Sequence, residues 1–445
     1  MFDQSLEETL QETENPVQML RKWGADRFSE VPDVCTNWIE EQRAWRESCS
    51  LYDQSHHMAN LHIEGPDALK LLSDLGVNSF EGFEIGQAKQ LVVCNPDGYL
   101  IGDTILFYLE EESYLSVGLA ASHQWILFNA ETGDYDVSLE FQDRPVALDE
   151  DPHYFRYQVQ GPNAVDLVEE VSQNPLSDVP FFNFDTISIE GHEVRALRHG
   201  MSGERGFELW GPYRYADDVK RALVDAGTEY GLRELGSKSY QSSCAVSGWL
   251  PNPLPAIYDS DEMRPFREWL DTYFGIIPVG GSFYSDDVSE YYLTPAAVGY
   301  EHIVDLDHEF VGKEAVAAQL EDPQRTKVTL VWNSEDVLDI YASLFEDGET
   351  YKYLDLLEPR WAATHYDRVE KDGEMVGLSK WGGYTYNERD MISLCCLDVE
   401  YSEPGTEVTV IWGDEHSPSN QQVERHTTHE IRATVAEVPY TEDRR

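Results

Sequence analysis

Apolar and polar residues alternate in short runs along most of the chain, and Gly, Pro, Asn and Asp punctuate the runs. Residues 89–118, KQLVVCNPDGYLIGDTILFYLEEESYLSVG, predict three antiparallel strands, with a turn at Asn95–Gly98 carrying the Pro, Asp and Gly that turns favour. Helical periodicity resumes over Ala120–Asn129. An internal echo is clear: LHIEGPDALKLL (61–72) and YQVQGPNAVDLV (157–168) each run from an alternating segment into Gly-Pro and then into a helix. Gly permits the tight turn, and Pro suits a first helical turn, where its missing N–H is no loss. A third junction of this kind is expected at Gly211 and Pro212 in FELWGPYRYADDVKRAL (207–223). Repeated strand–turn–helix units predict two similar α+β subdomains.

The texture changes after residue 325. TKVTLVWN (326–333), GLSKWGGYTYN (377–387), DMISLCCLDVE (390–400) and TEVTVIWG (406–413) are β-rich segments with polar connections, which predict a C-terminal β-barrel or sandwich. Residues 250–296, rich in Pro, Gly and Tyr, read as an ordered functional loop, since linkers seldom hold so many aromatics. The expected boundaries are 1–150 for a first α+β subdomain with a substrate-pocket segment, 151–325 for a second, and 326–445 for the barrel.

Composition narrows the class. At 445 residues, with 41% apolar residues, the chain has the material for two or three cores. Met1–Leu20 is acidic and lacks the apolar run of a signal peptide, and no stretch approaches the ~18 apolar residues of a membrane span. A soluble cytoplasmic protein is expected. The formal charge of −52, from 84 acidic and 32 basic residues dispersed along the chain, reads as a solvated surface adapted to a salt-rich (halophilic) cytoplasm. It argues against nucleic-acid binding, which requires a basic footprint. The six cysteines show neither C-x-x-C nor a disulfide spacing and read as buried reduced thiols. His426 and His429 in HTTHE lack further ligands nearby, so no metal site is expected.

The ordered motifs QGPNA (160–164), HGMSGERGFELWGP (199–212) and VDLDHEFVGKEAV (304–316) resemble those of glycine-cleavage aminomethyltransferases. AWRESCSLYDQSHHM (44–58), residues 67–90, PNPLPAIYDSD (251–261), GIIPVGGSFYSD (275–286), IYASLF (340–345) and GGYTYNE (382–388) are similar to the branch of tetrahydrofolate-dependent O-demethylases acting on vanillate, syringate and related methoxy-aromatics. The resemblance covers roughly residues 17–440. It implies a three-domain, ring-like folate-binding fold and a methyl transfer from an O- or S-methyl donor to N5 of tetrahydrofolate. Folate and a small methyl donor are the implied partners, with no membrane.

The same resemblance implies the site. Glu208 in GFELW would grip the pterin, whose adjacent N–H donors suit an acceptor-only carboxylate; Gln160 and Trp249 would line the cleft by hydrogen bonding and stacking. Tyr240 in GSKSYQSS matches the tyrosine acid that protonates the departing phenoxide, a role worth ~10²- to 10⁴-fold. Gln54 and His57 in YDQSHHM match positions beside the aromatic donor, with His56 facing away in an extended segment. Asp103 matches one of the paired aspartates of the aminomethyl branch, the other position being Gly102. Three departures affect the substrate. Leu119 stands where an arginine would clamp a carboxylate, and a leucine forms no ion pair. An upstream tyrosine has no match in RFSEVPDV (27–34), and Ser247 stands where relatives often carry a glutamate. Two other readings stay open: the aminomethyltransferase of glycine cleavage, served by a lipoyl carrier, and a non-catalytic folate-binding assembly or regulatory protein.

Overall fold

The computed structural model describes residues 4–23, 30–144 and 151–445. Residues 27–29 of the segment expected to hold an upstream tyrosine lie outside these. The fold is α+β, and its strands form two open sheets, a short two-stranded pair and a closed barrel.

The predicted three-strand meander is present as Ala88–Cys94, Leu100–Glu110 and Ser113–Gly118, joined by Ala59–Glu64 and Ser138–Gln142 into a five-stranded sheet. A six-stranded sheet runs in the order Leu232–Glu234, Cys49–Asp53, Tyr154–Gln160, Gly206–Pro212, His192–Arg198 and Phe184–Ile189. The strand Cys49–Asp53 is thus early in the chain yet sits in the sheet built mainly from residues after 150. The barrel closes through Arg325–Trp332, Asp390–Asp398, Glu374–Thr385, Asp367–Lys371, Glu407–Trp412 and His429–Ala436.

The two echoed junctions share one geometry. Gly65 and Gly161 have φ of +131° and +124°, and a Cβ on either would fall 2.4 Å from Asp136 O or 2.7 Å from Ser48 O. Only glycine fits this close approach in a left-handed conformation. The helices Ala68–Leu75 and Ala164–Ser172 follow directly. The third junction differs: Gly211 and Pro212 stay in strand register opposite Phe155 and Tyr154, and a 3₁₀ turn at Tyr213–Tyr215 precedes the helix Ala216–Gly227. Cross-strand pairing holds that Gly-Pro extended.

One helix lies in the barrel region, Ser334–Ser343, where strands dominate the sequence pattern. Asn333 caps it, its side chain accepting from the amides of Glu335 and Asp336. Residues 250–296 are ordered by short helices and hydrogen bonds, among them Leu254 N–H to the Tyr366 hydroxyl at 3.0 Å. His429 opens the last barrel strand, and His426 Nε2 accepts from the Asp414 amide at 2.7 Å. All six cysteines are free thiols.

Each sheet has its own apolar core, and a further buried cluster lies where they meet. It draws Tyr52, Val92, Leu100, Met201, Tyr240, Cys244, Tyr300, Trp381 and Leu394 from both sheets, the barrel and the connecting segments, with Trp249 packed against it. This convergence places residues far apart in sequence around one buried centre.

Candidate active site

The centre is built around the helix Ser237–Ser247, which is buried over nearly its whole length. Its N-terminus is met by Glu41, fully buried on the helix Trp38–Glu47, whose Oε2 accepts from Gly236 N–H at 3.0 Å and Ser239 Oγ–H at 2.7 Å. A carboxylate there satisfies amides that have no helical partner and complements the helix dipole. The serines that lower helix propensity turn their hydroxyls back onto carbonyls three residues earlier, as Ser242, Ser243 and Ser247 do. Gly248, at φ +77°, ends the helix and delivers Trp249.

Tyr240 stands on the first turn of this helix. Its ring stacks on Tyr52 with centroids 3.7 Å apart and planes 4° from parallel, and His57 meets it edge-on at 5.7 Å. Gln54 Nε2–H donates to the Tyr240 hydroxyl at 2.7 Å. The hydroxyl acts as acceptor in that bond, so its own hydrogen remains for another acceptor. Burial pushes the Tyr240 phenol well above its ordinary range, so it stays neutral. Burial also pushes the His57 imidazole down to about 3, with His56 and Arg144 adding smaller effects, so this ring is neutral too. His56 faces the other way, edge-on to Tyr213.

Glu208 is buried in the strand Gly206–Pro212, and its Oε1 pairs with Arg156 Nη1 at 2.8 Å. Arg156 Nη2–H also donates to Asn60 Oδ1 at 3.2 Å, and the guanidinium lies over Trp210 at 5.2 Å. Glu208 is therefore fixed by a charge-assisted hydrogen bond from the next strand. Four residues after Arg156 on the same strand, Gln160 Oε1 accepts from the amides of Met201 and Ser202 at 2.8 and 3.1 Å, holding the loop that feeds the Glu208 strand.

Asp103 lies at the other end. Its Oδ2 accepts from Gln90 Nε2–H at 2.6 Å and from the Tyr300 hydroxyl at 3.2 Å. Burial raises the Asp103 carboxyl, opposed by hydrogen bonds from Gln90, Tyr300 and Trp249 and by the charge of Lys327. Gln90 also lines a surface pocket of about 760 Å³ with Lys89, Phe182 and His302, so this end of the site abuts the surface. Leu119 sits at the N-cap of the helix Ala120–Thr132 and makes no side-chain cap. Ser247, inside the central helix, donates to its own helix at 3.2 Å, through the Cys244 carbonyl.

The structure thus gathers Gln54, His57 and Tyr240 into one cluster, sets Glu208 and Gln160 on neighbouring strands beside it, and joins Asp103 to Trp249. Four participants went unrecognised in the sequence: Tyr52, Arg156, Tyr300 and Glu41. Two had a signal. Tyr52 and Gln54 share strand parity in LYDQ, and Arg156, Gln158 and Gln160 recur at every second place in FRYQVQ, a buried polar row on one face. The other two act only through tertiary contacts.

Several polar atoms here are buried without a hydrogen-bond partner among the described residues: Gln54 Oε1, Tyr52 OH, Gln160 Nε2 and Ser202 Oγ. Native interiors leave few such groups unpaired. These atoms include both donors and acceptors, a set that a polar heterocycle would satisfy.

Comparisons with known proteins identify the family. The GCVT N-terminal domain family matches residues 11–245. The chain belongs to the GCVT family. Within it, the chain is 40% identical to the syringate O-demethylase of Sphingobium sp. (strain NBRC 103272 / SYK-6), over 98% of this chain and 96% of the relative. It is 32% identical to the sesamin methylene transferase of Sinomonas sp. (strain No.22), over 85% and 82% of the two chains. An aminomethyltransferase of Thermoanaerobacter sp. (strain X514) is 25% identical over 84% of each. The family fold is seen in the aminomethyltransferase T crystal structure from Bartonella henselae, at a TM-score of 0.63, 17% identity and coverage of 92% of this chain and 90% of that one. No helix among the described residues is long and apolar enough to cross a membrane, and no cluster of His, Cys, Asp and Glu there forms a metal-binding group.

Proposed function

We propose that this GCVT-family enzyme moves a methyl group from a methoxy-aromatic donor to N5 of tetrahydrofolate. The observation carrying this reading is the buried Tyr240 hydroxyl, held by Gln54 at 2.7 Å and stacked on Tyr52, with its hydrogen left to give. Tetrahydrofolate supplies the nucleophilic nitrogen that accepts the one-carbon unit. Glu208, Gln160 and Trp249 are the residues to hold it. Arg156 and the loop amides keep Glu208 and Gln160 in place, so neither must be ordered on binding.

The chain's own residues then act on the donor. As the methyl carbon leaves the aryl oxygen for the accepting nitrogen, the aryl oxygen takes the C–O electron pair and the Tyr240 hydrogen; the proton that the methylated nitrogen gives up balances the one Tyr240 has lost and restores its phenol. Gln54 fixes the phenol oxygen by donating to it, and Tyr52 fixes the ring plane. Neutral His57 and apolar Leu119 bound the aromatic donor without adding charge. Asp103, pushed toward its protonated form, works beside Trp249 at the far end. On the donor side, neutral Tyr240 and His57 add no charge that would stabilise the ground state.

The aminomethyl reading has weaker support, since identity to the aminomethyltransferase is 25% against 40% and 32% for the demethylase and the methylene transferase. The dispersed charge of −52 suits a salt-rich cytoplasm. The test is direct. Protein in molar salt, given tetrahydrofolate and a panel of methoxy-aromatics, is expected to form 5-methyl-tetrahydrofolate and the matching phenol, read by mass spectrometry. Absence of both products, with methylene transfer from an aminomethyl-lipoyl carrier instead, would move the chain to the glycine-cleavage reaction.

A further inference from the structure

The chain carries 84 acidic residues against 32 basic ones, so an arginine buried without an acid is out of character. Arg198 is one. It ends the strand His192–Arg198, is 7% exposed, and among the described residues its guanidinium meets no carboxylate. Nη1 has no hydrogen-bond partner there, and the group lies instead over the Phe207 ring, 5.2 Å from its centroid. A ring face offsets only part of the cost of desolvating a cation, and interiors leave few charged donors unpaired.

A second arginine stands beside it. Arg198 is opposite Phe207, and His199 N–H donates to Gly206 O at 3.1 Å, so the two strands are still paired where the intervening loop begins. Arg205 closes that loop. Its carbonyl accepts from Gly161 N–H at 2.9 Å, while its side chain is exposed and forms no ion pair among the described residues. Burial, and then the charge of Arg205, push the Arg198 guanidinium down from its ordinary range. Neighbouring like charges with no acid between them are unfavourable until an anion joins them. Glu204, the acid next to Arg205 in the chain, is committed elsewhere, 3.3 Å from both Arg46 Nε and Arg444 Nη1. The pair lies on the reverse side of the sheet from Glu208. Phe207 belongs to the apolar core shared with the helices Ala164–Ser172 and Ala216–Gly227, whereas Glu208, the next residue, turns to Arg156 on the other face.

We infer that Arg198 and Arg205 bind a doubly charged oxyanion of the phosphate type. Two planar forks supply paired N–H donors and two positive charges, the complement of such an anion. Arg198 forms the buried end and Arg205 the solvent end, so the anion enters from the surface. In molar salt the Debye length is about 3 Å, so the distant acids of the chain repel the anion little while its contacts with the forks are kept. Bridging also acts on the loop. Arg198 and Arg205 flank residues 199–204, and the amides of Met201 and Ser202 in that loop donate to Gln160. An anion joining the two stems holds those amides on Gln160 and tightens tetrahydrofolate binding, a consequence that rests on the function proposed above.

The test is calorimetric titration of the whole chain with inorganic phosphate, at constant ionic strength made up with potassium chloride, beside thermal unfolding with and without phosphate. Wild type is expected to bind phosphate saturably. Arg205→Gln should weaken binding by ~10- to 100-fold, the range for one lost charge-assisted hydrogen bond, and Arg198→Met should abolish it. Without phosphate, Arg198→Met should unfold at the wild-type temperature or higher, because a buried cation lacking an acid has been removed. Phosphate raises every unfolding temperature by exclusion from protein surface, so the specific effect is the extra rise in wild type. No saturable binding by wild type, unchanged binding in Arg205→Gln, or a lower unfolding temperature for Arg198→Met without phosphate overturns the site. Phosphate should also raise the tetrahydrofolate affinity of wild type by about fivefold or more, and unchanged affinity with phosphate bound overturns the brace on the loop. A chain that binds phosphate through both arginines yet binds no tetrahydrofolate in either buffer keeps the site and removes the proposed function.

Discussion

Replacing Tyr240 with phenylalanine removes one oxygen and keeps the ring stacked on Tyr52 at 3.7 Å. The loss falls on two separate quantities. Gln54 Oε1 already lacks a partner, and without the hydroxyl its Nε2–H group loses the 2.7 Å bond, so a buried amide is stranded at both ends. That stranding costs about 1–3 kcal/mol of stability. The catalytic loss is independent: removing a general acid lowers kcat by ~10²- to 10⁴-fold, or ~3–5 kcal/mol of barrier. Adding Gln54→Leu to Tyr240→Phe removes the stranded amide, so the double variant should regain much of the lost stability and none of the lost rate. The assay is single-turnover formation of 5-methyl-tetrahydrofolate at saturating folate, beside thermal unfolding in molar salt and a folate binding curve. Tyr240→Phe turning over within a few-fold of wild type would remove Tyr240 as the acid. A rate that recovers together with stability in the double variant would show that the hydroxyl acts only as a brace.

Further outcomes follow from other contacts. Glu208→Ala should weaken tetrahydrofolate binding at least tenfold in a fluorescence titration, and by leaving Arg156 buried and unpaired should lower stability by about 3–5 kcal/mol; unchanged folate affinity would refute the pterin role. Lys380 is buried against the Tyr366 ring at 3.6 Å, and burial pushes its ammonium down to about 7. An unfolded lysine titrates near ~10.4, so below pH ~7 both states are charged and the folded chain bears the whole penalty; above it the folded chain sheds the proton first and stability rises. Lys380→Met should therefore stabilise most below neutral pH and progressively less toward pH ~10, and a gain that stays flat across unfolding curves from acid to alkaline buffer would contradict this. Lowering salt from molar to millimolar should reduce the unfolding temperature as like charges lose screening, and an unchanged midpoint by circular dichroism would refute the salt-rich setting.

The sequence by itself determined what depends on near neighbours. Period-two alternation and turn residues placed the meander of residues 89–118 and the β-rich end, and the two Gly-Pro junctions at 65 and 161 followed from the same local rules. The third junction went differently because cross-strand hydrogen bonds hold Gly211 and Pro212 in the sheet. The helix Ser334–Ser343 interrupts this β-rich pattern, and Asn333 with two acidic residues in its first turn is its local start signal. At the site, motif order singled out Tyr240, Gln54, Glu208 and Asp103 one at a time. Tertiary structure alone decided their company: the stack of Tyr52 on Tyr240, Arg156 on Glu208, and Tyr300 and Gln90 on Asp103. A residue's periodicity is set by the backbone around it, whereas its partner depends on which strands pair, in what register, and how separate sheets pack over one centre.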